Sequence, residues 1–117
     1  MERVLVNFTN HPSKAWEENQ KGAAEQYGTI LDLPFPTVDP EGDEAYIEAL
    51  AEQYLSRIEA LSPTAVLCQG EFCLTYQIVS RLKKKGITVL AACSERCVEE
   101  KGSRKEVMFR FQRFRSY

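Results

Sequence analysis

The chain has 117 residues, of which 44% are hydrophobic and 27% charged, a composition that fits one compact domain over residues 1–117 and excludes a disordered tail. No apolar run approaches the roughly 20 residues that span a bilayer, and the apolar run in MERVLVNFTN is too short for a secretory signal. We therefore expect a cytoplasmic protein with no membrane partner.

The charge is distributed unevenly along the chain. The formal net charge is −2. Residues 1–80 carry 4 Lys/Arg against 13 Asp/Glu, which gives −9, whereas residues 81–117 carry 11 against 4, which gives +7. A basic third on an acidic body suits a phosphate-bearing ligand, although a charge cluster by itself more often marks a solvated face.

The first half of the chain predicts alternating strands and helices. The predicted elements are a strand at 3–8, a helix at 13–27, a strand at 29–33, a rigid loop with three prolines at 34–42 and a helix at 43–60. Asn10 or Ser13 is the expected N-cap of the first helix, Pro12 lies near its first turn and Gly28 ends it.

The second half continues the alternation and then adds a strand. It predicts a strand at 64–69, a helix at 72–85 ended by Gly86, a strand at 87–93 and a final strand at 106–117. The final strand is expected to pair antiparallel with an extension of the fourth strand, with Gly102 in the turn. Its alternation predicts inward side chains at Val107, Phe109, Phe111 and Phe114, and outward ones at Arg110, Gln112 and Arg113.

This order predicts an α/β fold, a three-layer Rossmann-like domain with a mostly parallel sheet of order 2-1-3-4-5 and an antiparallel C-terminal strand. Such sheets bind ligands beyond the carboxyl ends of their strands, where the strand order reverses. Strands one and three flank that point, and polar segments follow both of them.

The loop after strand one is dense in hydrogen-bonding groups at a predicted helix N-terminus, which favours anions. It holds Asn7, Thr9, Asn10, His11 and Ser13. His11 is the only histidine of the chain and can titrate near neutral pH. Helix capping explains the same residues equally well.

The corner QGEF after strand three is the second candidate. Gly70 would let a ligand approach the backbone, while Gln69 and Glu71 could bind a ribose hydroxyl or a base edge. Thr75 follows on the same helix. The corner lacks both the dinucleotide-binding glycine spacing and the lysine of a P-loop, and Glu71 and Thr75 also suit an ordinary first helical turn.

Arginines close the set of candidates. Ser94 and Arg96 follow the fourth predicted strand, and an arginine there is suited to a bidentate contact with phosphate. Arg113 lies among aromatic residues in FQRFRSY, a mixture that can hold phosphates and stack bases. The alternative interpretation of Arg96 is a surface salt bridge, and that of the segment with Arg113 is a plain edge strand.

The four cysteines, Cys68, Cys73, Cys93 and Cys97, are predicted to be free thiols in a cytosolic protein. Their C-x4-C and C-x3-C spacings differ from that of common zinc sites. We therefore expect no metal site, and no redox-cofactor motif is present.

The segment LCQGEFCLTYQIVSRLKKKGITVLAACSER and the terminal RFRSY resemble the small CRISPR-associated Csx-type proteins, which carry a QG-acidic-F-x-x-x-Y corner and a closing RFR-x-Y. The resemblance covers residues 64–117 well. In the first loop it rests on the His-Pro pair. Residues 91–94 read AACS where an ATT-like run is expected.

The resemblance implies a ring nuclease in type III CRISPR defence, a homodimer that binds and cleaves cyclic oligoadenylate without metal or cofactor and has no duplex nucleic acid partner. In such a reaction the ribose 2′-hydroxyl attacks its adjacent phosphate and leaves a 2′,3′-cyclic phosphate. Arg96 is the first candidate for the phosphate, and Glu71 or His11 for the base. Two alternatives stay open: a non-catalytic sensor of the same messenger, and a nucleotide-handling Rossmann-like enzyme unrelated to CRISPR.

Overall fold

Five strands form one mixed sheet in the computed structural model, which describes residues 2–117. The strands are β1 (Val4–Phe8), β2 (Thr29–Asp32), β3 (Ala65–Cys68), β4 (Thr88–Lys101) and β5 (Arg104–Ser116). The sheet order is β2-β1-β3-β4-β5. Strands β1 to β4 are parallel, and β5 runs antiparallel to β4. The predicted α/β class, strand order and antiparallel last strand are confirmed.

Three α-helices connect the parallel strands, namely α1 (Glu18–Glu25), α2 (Glu44–Ala60) and α3 (Phe72–Lys84). The Asp43 side chain caps α2 by accepting a hydrogen bond of 2.9 Å from the Tyr46 amide, as Asp does at N-caps. Gly86 follows α3 with a φ of 77°, a left-handed conformation that glycine adopts without steric cost. Among the described residues, no helix combines the length and the apolar character needed to cross a bilayer.

Two hydrophobic cores lie on the two faces of the sheet, because successive strand residues point to opposite sides. Val4, Val6 and Phe8 of β1 pack in one core with residues of α2 and α3. Leu5 belongs to the other core, with Ala24 of α1 and Phe111 and Phe114 of β5. Strand β1 is therefore buried on both faces, which matches its sequence VLVNF, apolar except for Asn7.

The first helix begins later than predicted. Residues Ser13–Ala15 form a short 3₁₀ helix with Pro12 at its N-cap, and α1 starts only at Glu18 with Glu17 as N-cap. The prediction of Asn10 or Ser13 as a side-chain N-cap is wrong. The helical conformation is interrupted at Trp16. This side chain is only 4% exposed and packs in the second core, and its burial interrupts the continuous helix that the sequence predicts.

The hairpin of β4 and β5 is longer than predicted. Strand β4 continues through Ser94 and Arg96 to Lys101, so these residues lie within a strand and not in a turn that follows it. The turn does contain Gly102, with a φ of 65°. We refer to residues 94–110 as the arm; none of its residues is buried. The Cα radius of gyration is 15.7 Å, against about 13 Å for a compact domain of this size, so the arm projects from the body.

The projection explains why two predicted inward residues are exposed. Phe111 and Phe114 are buried as predicted, whereas Val107 is 46% and Phe109 64% exposed. The prediction is wrong for Val107 and Phe109 because no helix covers the sheet at their level. Phe111 and Phe114 share one face despite their odd spacing, since the pairing register shifts between Cys93 and Ser94 and leaves Gln112 as an extra residue.

Candidate functional site

A cavity of about 740 Å³ opens at the carboxyl ends of β1 and β3 and beside the middle of β4, on the side of the sheet that carries α1. Strand order reverses between β1 and β3, so the cavity lies at the switch point where α/β sheets bind ligands. We call it the switch-point pocket. It is lined by Thr9, Asn10, His11, Ala15, Glu17, Gln20, Leu67, Gln69, Gly70, Ala92, Ser94, Phe109 and Phe111.

A buried hydrogen-bond network fixes the loop after β1. Asn7 is 1% exposed, and its Nδ2 donates to the His11 carbonyl at 3.0 Å and to Asp32 Oδ1 at 2.9 Å. The Thr9 hydroxyl donates to Asn7 Oδ1 at 2.8 Å. Trp16 Nε1 also donates to the His11 carbonyl, at 3.0 Å. Asn7 and Thr9 thus hold the loop through their side chains, and Thr9 alone of the two reaches the pocket wall.

Asp32, at the end of β2, supports the same loop. Its carboxylate accepts from the Ser13 hydroxyl at 3.1 Å and from the Ser13 amide at 3.3 Å, in addition to Asn7. Ser13 therefore serves the loop and does not line the pocket. Asp32 was not selected from the sequence, although a carboxylate at the end of a short strand is a signal similar to the polar residues that mark the other loops.

His11 and Asn10 are left free to face the pocket. Both are exposed and line it. The loop contacts to His11 all involve its backbone, and the imidazole makes no hydrogen bond in the described part of the chain. The geometry thus holds the main chain of residue 11 firmly and leaves its side chain available for a ligand.

The corner QGE has a structural explanation for each of its residues. The Gln69 amide forms a two-way pairing with the backbone of Ala92, with Oε1 accepting at 2.8 Å and Nε2 donating at 3.4 Å. This pairing extends the contact between β3 and β4 beyond the last residue of β3. Glu71 caps α3 by accepting from the Leu74 amide at 2.7 Å. Gln69 still lines the pocket, whereas Glu71 lines a second cavity of about 510 Å³.

Gly70 is required by the core. A Cβ at this position would lie 2.5 Å from the ring of Phe35, which is 5% exposed. We expect Gly70→Ala to lower the free energy of unfolding by about 1–3 kcal/mol through overpacking. Gly22→Ala is the matched control: nothing lies within 4 Å of its Cβ, and alanine in a helix should raise stability by about 0.4–1 kcal/mol. Urea denaturation measures both, and equal stabilities would contradict the contact with Phe35.

The structure does not bring the remaining predicted residues together at the pocket. Ser94 lines the pocket. Arg96 lies two residues further along β4 on the same face, about 7 Å along the strand, and is exposed. Arg113 pairs with Cys93 and donates its Nε–H to the Phe114 carbonyl at 3.0 Å; it does not line the pocket. The Thr75 hydroxyl is buried in α3 without a partner among the described residues, away from the pocket wall.

The structure adds residues that sequence reasoning did not select. Glu17 and Gln20 enter the pocket wall through the delayed start of α1, and Phe109 and Phe111 enter from the hairpin. Gln20 is 7% exposed. Among residues 2–117 no Lys or Arg lines the pocket, and Glu17 is its one carboxylate. The pocket therefore combines aromatic and neutral polar surface with the imidazole of His11.

The cysteines lie outside this pocket. All four are free thiols, and burial raises the pKa of Cys68 to about 12, so that side chain is an unreactive part of the core. The Tyr117 hydroxyl donates to the Cys68 carbonyl at 2.7 Å, and desolvation raises the pKa of Tyr117. Within residues 2–117, no group of three or more His, Cys, Asp or Glu side chains could hold a metal ion.

A comparison with known proteins finds one match to a protein-family model. The model of the family described as "Uncharacterized protein MJ1673 family" matches residues 3–115, which includes every residue of the pocket wall. No curated protein matches the chain.

Proposed function

We propose that this chain, which belongs to the Uncharacterized protein MJ1673 family, binds a cyclic oligoadenylate, such as cyclic tetra-adenylate, at the switch-point pocket and cleaves it. The observation that carries the proposal is the pocket itself. Its lining combines the exposed His11 and Asn10 with Phe109, whose ring is 64% exposed and available to a base. Aromatic rings stack on bases, and the polar side chains can take the ribose and phosphate.

The reaction we propose needs no metal. The ribose 2′-hydroxyl oxygen attacks the adjacent phosphorus, the bond from phosphorus to the 5′-oxygen breaks, and the leaving oxygen takes up a proton. The products are a 2′,3′-cyclic phosphate and a 5′-hydroxyl. His11 is the proposed general base, because its imidazole is exposed at the pocket while its backbone is held by the loop.

The pocket wall offers little to neutralise a phosphate, since no Lys or Arg among residues 2–117 lines it. Arg96 is the proposed phosphate ligand, because it shares a face of β4 with Ser94 and its side chain is long enough to extend toward the pocket rim. Glu71 is not carried into the mechanism, since its carboxylate caps α3 and borders the second cavity.

The scarcity of cations in the wall also favours a second candidate, a sensor that binds the same messenger without cleaving it. Binding by stacking and neutral hydrogen bonds needs no arrangement for developing charge, whereas cleavage does. In both cases we propose a Rossmann-like three-layer homodimer in the cytoplasm. A ring of four nucleotides has rotational symmetry, and two pockets related by a two-fold axis can hold it from both sides.

The test is incubation of the protein with cyclic tetra-adenylate in the presence of a chelator, with the products resolved by mass. Linear fragments ending in 2′,3′-cyclic phosphate are the expected result. Intact ring that co-elutes with the protein would favour the sensor. If the protein neither cleaves nor binds the ring, both candidates are refuted. The alternative is then a nucleotide-handling enzyme unrelated to CRISPR, with Glu17 as its pocket carboxylate.

A further inference from the structure

The arm carries an apolar face that nothing in the described chain covers. Residues that are directly paired in an antiparallel ladder point to the same side. Val98 pairs with Val107, and Arg96 pairs with Phe109, so these four side chains share one face. Both valines are 46% and Phe109 is 64% exposed. The same face continues at its base into the switch-point pocket through Ser94, Phe109 and Phe111.

The charges on this face form a self-complementary pattern. It consists of three successive rungs, each a pair of directly opposed residues on β4 and β5: Arg96 with Phe109, Val98 with Val107, and Glu100 with Lys105. The apolar rung lies in the middle, with a cation on one side of it and a carboxylate on the other along β4. Arg96, Glu100 and Lys105 form no ion pair within residues 2–117, whereas Lys101 and Glu106 on the opposite face pair with each other at 3.5 Å.

We infer that the occupant of this face is the same face of a second copy of the chain, packed with its strands reversed. A two-fold axis through the valine rung puts the two apolar rungs in contact. It also puts Arg96 opposite the partner's Glu100, and Phe109 opposite the partner's Lys105. Every charge on the face then meets an opposite charge or an aromatic ring, and the exposed valines become buried.

This interface has a consequence for the pocket. The arm face begins at the pocket rim, so the partner's arm lies over the open side of the pocket, and the partner's Glu100 holds the guanidinium of Arg96 beside Ser94. The inference names a surface for the proposed homodimer. It is tested by molecular mass in the absence of any nucleotide, so it can fail while the proposed cleavage stands, and the reverse.

Charge exchange across the axis tests the arrangement. Glu100→Arg puts two arginines opposite each other at both ends of the interface, and we expect the dimer dissociation constant to rise by at least about tenfold. The double variant Arg96→Glu with Glu100→Arg exchanges the two charges on each copy and should regain the wild-type constant. Sedimentation equilibrium at micromolar concentration measures all of them.

Glu99→Arg is the matched control, since Glu99 is also exposed on the same strand but points to the opposite face. It should dimerise as the wild type does. The arm contributes no buried residue, so all variants should fold, which circular dichroism checks. A monomeric wild type, an effect of Glu99→Arg as large as that of Glu100→Arg, or a double variant that stays monomeric would each overturn the inference.

Discussion

Replacing His11 by alanine is expected to slow single-turnover cleavage of cyclic tetra-adenylate by about a hundredfold or more, because positioned general bases contribute factors of this size. The substitution should leave the fold intact. The loop holds residue 11 through its carbonyl and amide groups, which alanine retains, and the imidazole itself is exposed.

Asn10→Ala is the control for this variant, since Asn10 is also exposed and lines the same pocket but has no titratable group. It should weaken binding without abolishing the chemical step. A His11→Ala protein that folds and cleaves at the wild-type rate would remove His11 from the mechanism and leave Arg96 as the remaining candidate for catalysis.

The second large effect concerns stability and the loop that carries His11. Asn7→Leu keeps the branching and the number of heavy atoms of the side chain but removes its hydrogen bonds to His11, Asp32 and Thr9. Of the three partners Thr9 is buried, and a buried group that loses its hydrogen bond costs about 1–3 kcal/mol. His11 and Asp32 are exposed, so water can replace their lost contacts, and we expect the free energy of unfolding to fall by about 2 kcal/mol in total.

Asn10→Leu supplies the comparison, because it makes the same substitution at an exposed position of the same loop. Its effect should stay within about 0.5 kcal/mol, as for most surface substitutions. Urea denaturation of both proteins measures the difference. Similar midpoints for the two variants would show that the network around Asn7 does not stabilise the fold.

The sheet could be predicted because its signals are local. Strand β1 is apolar except for Asn7, α2 carries a capping Asp43 and an apolar face, and Gly86 and Gly102 mark turns that the structure contains. The alternation of strands and helices predicts a three-layer α/β sheet, for which 2-1-3-4-5 is the expected order, and the short last connection predicts the antiparallel pairing of β4 with β5.

The errors came from tertiary contacts that periodicity does not encode. The burial of Trp16 split the first helix, and the arm extended past the body and exposed Val107 and Phe109. Periodicity indicates which face of a strand is apolar, but it does not indicate whether another element lies against that face.

The site could be located more readily than its residues could be assigned. The switch point lies where the strand order predicted it, and His11, Asn10, Gln69, Gly70 and Ser94 line it. Their neighbours turned out to have structural partners, such as Leu74 for Glu71 and Asp32 for Ser13. The contact of Ser13 with Asp32 joins segments 19 residues apart, and the sequence does not contain that proximity. Glu71 caps its own helix, which is the ordinary first-turn role that the sequence also allowed.

The most direct test of the central claim is a titration of the ¹⁵N-labelled protein with cyclic tetra-adenylate, followed through the backbone amide resonances. Binding at the switch-point pocket predicts shifts at residues 9–11, at Gln69 and Gly70, and at Ser94 and Phe109, with small changes around the second cavity. Shifts confined to residues 38–48 and 71–77, which border that second cavity, or no shifts at all, would contradict the account.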